Sequence, residues 1–184
     1  MTARAAPAMV AAAVLSGCAS GHGRIVVTAT GHVGPLRLDE SRRADVVSFA
    51  GRPDSEVHGR YQRTFDALGY GCDSKPAVDK FGIPQCRTVF YLDGHSGTLD
   101  LFYTRDRRYA DPHGVRAGTP TTRASRRLGR HPFSGCYAGF RFDTKTGFLV
   151  MWLEGGRKLV GDHVGFVVVE SPRRNPGVLD CIDS

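Results

Sequence analysis

The chain is poor in lysine, has no long apolar run and lacks any compact metal or phosphate motif, and the last two shortages each remove a class of function. Of its 25 basic residues only Lys75, Lys80, Lys145 and Lys158 are lysine, so 21 are arginine. The apolar stretch from Ala5 to Leu15 is about half of what a helix needs to cross a bilayer, and no other segment approaches that length. The cysteines never fall in C-x-x-C spacing. The histidines at 22, 32, 58, 95, 113, 131 and 163 never form H-x-H or H-E-x-x-H, so no metal site is expected. The 23 glycines are dispersed without G-x-x-x-x-G-K-[ST], which removes the phosphate-cradling loop. "GHSGT", Gly94–Thr98, is not G-x-S-x-G, and Asp93, Gly94 and Gly97 explain it as a hairpin turn around Ser96. Asp39-Glu40 and Asp180 with Asp183 read as exposed ends, not as carboxylates paired for acid–base work. The expectation is a non-enzymatic protein without catalytic residues, metal or small-molecule cofactor.

What is present begins at the N-terminus. Arg4 is the only charge among the first 20 residues, and the apolar stretch after it has the size of a signal-peptide core. Leu15-Ser16-Gly17-Cys18 resembles the lipobox of bacterial lipoproteins. That resemblance implies cleavage before Cys18 and a diacylglyceryl group on its sulfur, which anchors the chain in the outer leaflet of the bacterial cell membrane. An ordinary secretory signal with an incidental cysteine is the alternative. Either way the chain is exported, and nucleic acid is not expected as a partner.

Export puts Cys72, Cys86, Cys136 and Cys181 in an oxidising compartment. Four cysteines allow three pairings. Cys72–Cys86 with Cys136–Cys181 is the favoured set, because each pair then lies within one half of the chain.

The halves emerge from repeated helix signals. Ser41 is placed to cap a helix through "RRADVVSFA", stopped by Gly51 and Pro53. Thr119 is placed to cap "PTTRASRRL", with Pro120 at its first position, Gly129 at its end and Pro132 beyond. Each helix precedes a strand–turn–strand signal: "CRTVFYL", "DGHSG", "TLDLFYT", then "CYAGFRF", "DTKTG", "FLVMWLE". "HVGFVVVE" reads as a further strand, and "IVVTA" near the tether as one more. The first half is the longer by a segment within 55–84, read as a long loop stapled at its end by Cys72–Cys86. The expected fold is α+β: two tandem units, each a short helix or helix pair packed on an antiparallel sheet. The expected boundaries are a signal peptide over 1–17, a tether over 18–33, and halves over 34–111 and 112–184.

The twice-used cap, helix, glycine and proline, over residues 34–54 and 114–132, resembles the SmpA/OmlA group of small envelope lipoproteins. With the duplication and paired cysteines it also resembles the beta-lactamase inhibitory protein. Where that group has Gly-Met before the capping residue, this chain has Asp39-Glu40 and Ala117-Gly118. The resemblance implies helices packed against an antiparallel sheet and, for the inhibitor, a sheet face that clamps a protein partner.

Two surface features bear on partners. Arg123, Arg126, Arg127 and Arg130 follow i, i+3, i+4, i+7, one face of the second helix, with Arg107, Arg108 and Arg116 near in sequence. They read either as a solvated helix face or, with the net charge of +7, as a patch for lipid phosphates, wall polyanions or an acidic protein. The strand aromatics Phe90, Tyr91, Phe102, Tyr103, Phe140, Phe142, Phe148, Trp152 and Phe166 divide by alternation between a core and an outer face. Tyr137 and Trp152, with the helix arginines, are the candidate partner-binding residues. The leading expectation is a lipid-anchored module binding an unidentified envelope protein. An envelope hydrolase with an unrecognised site, or a surface protein binding anionic polymers or headgroups, are the alternatives.

If Cys18 carries the anchor, Cys18→Ala is expected to release the protein from the membrane fraction or leave it unprocessed. Unchanged fractionation and detergent extraction would refute the anchoring.

Overall fold

The computed structural model describes residues 23–61, 63–72, 85–133, 138–154 and 162–172. Cys18, Tyr137 and the Cys136–Cys181 pairing lie outside them. In chain order the elements are β1 (Ile25–Val26), β2 (His32–Val33), β3 (Leu36–Arg37), α1 (Arg43–Ala50), β4 (Ser55–Tyr61), β5 (Arg63–Cys72), β6 (Cys86–Asp93) and β7 (Leu99–Thr104). They continue with β8 (Tyr109–Ala110), α2 (Thr121–Leu128), β9 (Gly139–Thr144), β10 (Gly147–Glu154) and β11 (His163–Glu170). The fold is α+β and mostly strand.

One seven-stranded antiparallel sheet dominates, in the order β4-β5-β6-β7-β11-β10-β9. It is made of two meanders, β4 to β7 and β9 to β11, joined where β11 lies against β7. Runs such as "FLVMWLE" carry apolar residues at consecutive positions, which fits strands buried on both faces. In β10, Leu149, Met151 and Leu153 enter one core, while Phe148, Val150 and Trp152 enter a cluster on the opposite face.

The first face holds the main core. Leu68, Phe90, Phe102, Phe140, Met151, Val167 and Val169 pack there against Val46 of α1, Ala124 of α2, and Val27, Val33, Leu36 and Leu38 of the N-terminal segment. Of the tether expected over 18–33, residues 25–33 therefore belong to the packed domain. Val27 is fully buried, and β1 pairs in parallel with β8 far along the chain. Asp39 adds a further tie: its amide donates to the Leu99 carbonyl at 2.7 Å, and the Ser171 hydroxyl donates to its carboxylate at 2.7 and 2.9 Å.

Both helices form where expected, with different caps. α1 starts after Arg42, whose backbone N–H donates to Asp45 at 2.8 Å, while the Ser41 hydroxyl accepts from the Arg37 amide at 2.9 Å instead. α2 starts after Pro120, and the Thr119 hydroxyl accepts from the Arg116 amide at 3.0 Å. Each candidate capping hydroxyl closes the turn before its helix. Gly51 and Gly129 end the helices as expected, Gly129 in the left-handed conformation.

The long loop expected within 55–84 is corrected over its first part. Residues 55–61 and 63–72 form the hairpin β4–β5, which extends the sheet beyond β6. Polar residues alternate outward along β4, so its pattern lacks the apolar density of an inner strand. Cys72 and Cys86 are directly opposed at the ends of β5 and β6 and form a disulfide, their Cα atoms 4.1 Å apart. A β-carbon on Gly69 would lie 2.5 Å from the Cys86 sulfur, so only glycine leaves room for the bridge there.

The two turns also differ from one another. Asp93 accepts from the amides of His95 and Ser96 at 3.0 and 2.8 Å, which makes Ser96 a turn residue. In the second hairpin β9 runs on through Asp143 and Thr144, leaving Lys145 and Thr146 as the turn. Thr144 and Thr146 donate to the carbonyls of Ala29 and Thr30, docking that turn on the N-terminal segment.

Closing a loop of this length with a disulfide stabilises a fold by about 3 kcal/mol in the chain-entropy account. A Cys72→Ala, Cys86→Ala double variant is expected to lose about that much unfolding free energy in urea titration. An unchanged midpoint would show that the bridge contributes nothing.

Candidate functional site

The segment between β7 and α2 folds on side chain-to-backbone hydrogen bonds. The Thr104 hydroxyl accepts from the Asp106 amide at 2.9 Å, and Asp106 accepts from the amide and guanidinium of Arg108 at 2.8–2.9 Å. Burial pushes the Asp106 carboxyl up, but the hydrogen bonds and charge of Arg108, with Arg87, outweigh it and hold the group below its ordinary value. Asp111 is buried and accepts from the Val115 amide at 2.7 Å, closing a turn over residues 111–115. Its carboxyl is raised by burial, against the Val115 amide and the charges of His113 and Arg24.

Four arginines are held on this scaffold, two at Gly114 and two beside Gly118. Arg127 donates to the Gly114 carbonyl at 2.8 Å, and Arg24 to the Pro112 carbonyl at 3.3 Å. A guanidinium nitrogen of each lies 3.2–3.3 Å from where a β-carbon on Gly114 would sit. Gly114 has φ +78°, so a larger residue there would be strained as well as crowded. Arg116 donates to the Arg107 carbonyl at 3.2 Å, and the Arg107 guanidinium lies across Gly118, its Nε 2.8 Å from the corresponding β-carbon position. All four side chains are exposed. Among the described residues none of them has a carboxylate within ion-pair distance.

The expected helix row is divided by this arrangement. Arg123, Arg126 and Arg127 lie exposed on α2, and Arg127 turns to Gly114. Arg130 lies beyond the Gly129 cap, where it donates to the Arg141 carbonyl at 2.9 Å and stacks over Phe142 at 4.2 Å. A left-handed residue ends helical spacing, so i+7 no longer continues the face. Arg108 is paired with Asp106, so its charge is already met. Arg24 was absent from the sequence-based candidates because it falls in the segment assigned to the tether.

Trp152 is 5% exposed, stacked edge-on with Phe133 at 5.8 Å, and so is not displayed as a contact residue. The second sheet face around it remains aromatic. Phe65, Tyr91, Phe148, Trp152 and Val168 are buried there, with Leu101, Tyr103 and Phe166 half-buried. Phe90, Phe102 and Phe140 belong to the first core, joined by the half-buried Phe142. Arg105 and Arg141 lie over Phe166 and Phe148 at 5.9 and 5.0 Å.

Two further places carry titratable groups. A cavity of about 160 Å³ between α1 and the ends of β5 and β6 is lined by Tyr70, Arg87, Thr88, Asp106, Arg108 and Tyr109 among others. Its arginine–carboxylate pair is internally satisfied. His163 lies between Glu154, at 2.9 Å from Nε2, and Asp162 at Nδ1. The hydrogen bonds to Asp162 and Glu154 raise its pKa and favour the imidazolium.

Burial pushes the Tyr109 hydroxyl up to about 12, with the charges of Asp106 and Tyr70 adding and that of Arg108 opposing. The folded protein then keeps this proton where the unfolded chain, titrating near 10, has lost it. Stability is therefore full below pH 10 and falls between pH 10 and 12, by about 3 kcal/mol at most for this group. Urea titrations should show a smaller loss at alkaline pH for Tyr109→Phe than for the wild type. Equal losses would remove Tyr109 as a cause.

No protein-family model, curated protein or solved structure matches this chain.

Proposed function

We propose that this chain is an exported, lipid-anchored, non-enzymatic module that binds a protein of the bacterial cell envelope. The observation that carries the reading is the second face of the sheet. An antiparallel sheet with helices on one side ordinarily turns polar side chains to the other. Here that other side is aromatic and aliphatic, with Leu101, Tyr103 and Phe166 only half-buried and Arg105 and Arg141 laid over it. Tyrosine, phenylalanine and arginine together are the side chains that anchor protein interfaces.

The order of elements supports the finer reading of two tandem units. A helix precedes a four-stranded meander, a second helix precedes a three-stranded one, and the last strand of each meets the other at β7–β11. This is the layout that the likeness to the beta-lactamase inhibitory protein implies, and it supports a binding role over catalysis.

The test is retention of an envelope protein on the mature protein immobilised in detergent. One protein held at a stoichiometric ratio, and lost from a Tyr103→Ser, Phe166→Ser variant of unchanged melting temperature, is the expected result. Turnover of an ester or peptide panel would favour the hydrolase alternative and overturn the reading.

A further inference from the structure

We infer that the arginine cluster of Arg24, Arg107, Arg116 and Arg127 docks on anionic phospholipid headgroups and holds the domain against the membrane that anchors it. The inference rests on the export and anchoring proposed above and adds which surface faces the bilayer.

Three observations converge. The first is charge without ion pairs: Arg24 and Arg127 meet at Gly114, Arg107 lies across Gly118 with Arg116 bonded to its carbonyl, and none of the four has a carboxylate within ion-pair distance among the described residues. Asp106 is engaged by Arg108, and Asp111, whose carboxyl feels the charge of Arg24, is buried and hydrogen-bonded to the Val115 amide. Arg123, exposed one helical turn before Arg127, adds to the same charge.

The second is preorganisation. Arg24, Arg116 and Arg127 are each fixed by a hydrogen bond to a backbone carbonyl of this loop, and Arg107 lies across Gly118. A guanidinium has five N–H donors, so the remaining ones are available to phosphate oxygens at little further cost in side-chain order.

The third is position along the chain. Arg24 is six residues from Cys18, and six residues extend to at most about 20 Å. A chain tethered at Cys18 therefore cannot carry Arg24 far from the headgroup region. Charge complementarity fits any anionic partner, and tether length selects the membrane over a soluble acidic one. A basic side chain near an anionic surface contributes on the order of 1 kcal/mol, so the four together supply the second signal that keeps an anchored domain oriented.

The experiment uses the full-length chain carrying Cys18→Ala, so that binding does not depend on lipidation. It is floated with vesicles of phosphatidylcholine alone or mixed with phosphatidylglycerol. Partition driven by the apolar residues 5–15 is measured on the neutral vesicles. The expected result is added binding to the anionic vesicles, reduced by salt and weakened roughly fivefold for each arginine replaced by glutamine. The fourfold arginine-to-lysine variant should retain most of that binding, and melting temperatures report whether each variant is folded. Equal binding to both vesicle types overturns the inference. So does an equal loss when Arg37, Arg42, Arg52 and Arg60 are replaced instead. Displacement by inorganic phosphate at constant ionic strength, or retention on an anionic wall polymer without vesicle binding, assigns the cluster to another ligand and also overturns it. Failure of the anchor itself shows separately, as unchanged fractionation of Cys18→Ala in cells.

Discussion

The pairing of β7 with β11 is the constraint on which the rest of the fold depends. Four residue pairs, from Val167↔Thr104 to Glu170↔Leu101, join a four-stranded meander to a three-stranded one. Without that seam the sheet would end in two inner edges rich in valine and aromatic side chains, a state prone to pair with other chains. With it, Phe102 and Val169 enter one continuous core while Tyr103 and Val168 stand on the other face. Both helices and the N-terminal segment can then cover the first face of a single sheet.

Strands β6, β7, β10 and β11 were legible because they are short dense runs of branched and aromatic residues bounded by turn signals. The helices were legible through their glycine stops more than their caps. Ser41 and Thr119 carry capping side chains, but both hydroxyls are used by amides upstream, so each helix starts later than its sequence signal. The hairpin β4–β5 was not legible. "SEVHGRY" lies at the sheet edge, where only one neighbour and a partly exposed face leave little apolar pattern to read. β1 was anticipated as a strand in "IVVTA" but assigned to the tether, because its partner β8 lies some eighty positions away; the two-residue β2 carries no periodicity to read.

The site was legible only as a composition. The spacing of Arg123, Arg126, Arg127 and Arg130 indicated a row, whereas the fold sends Arg127 to Gly114 and Arg130 to β9. The cluster that does form draws on positions 24, 107, 116 and 127, three separate parts of the chain. Only the β1–β8 pairing and the packing of α2 on the sheet bring them together, and neither can be read from local spacing. Trp152 illustrates the converse error. A lone tryptophan amid strand aromatics has the composition of a contact residue, yet alternation along β10 places it in a buried cluster.

Four like charges held together work against folding unless something else fixes them, because mutual repulsion favours extended arrangements. Among the described residues the fixing groups are backbone carbonyls and a loop closed by Asp111 and Thr119, with no carboxylate in ion-pair distance of the four. A surface shaped for stability alone would have placed acids among these arginines, as the protein does with Arg43–Glu56 and Arg108–Asp106. Arginine in place of lysine sharpens the contrast. The planar fork can give one edge to a carbonyl and keep another for an oxyanion, so anchoring the side chain does not consume its capacity to bind. The cluster thus retains donor capacity that the described residues leave unused, which is the property expected of a surface completed by an anionic partner.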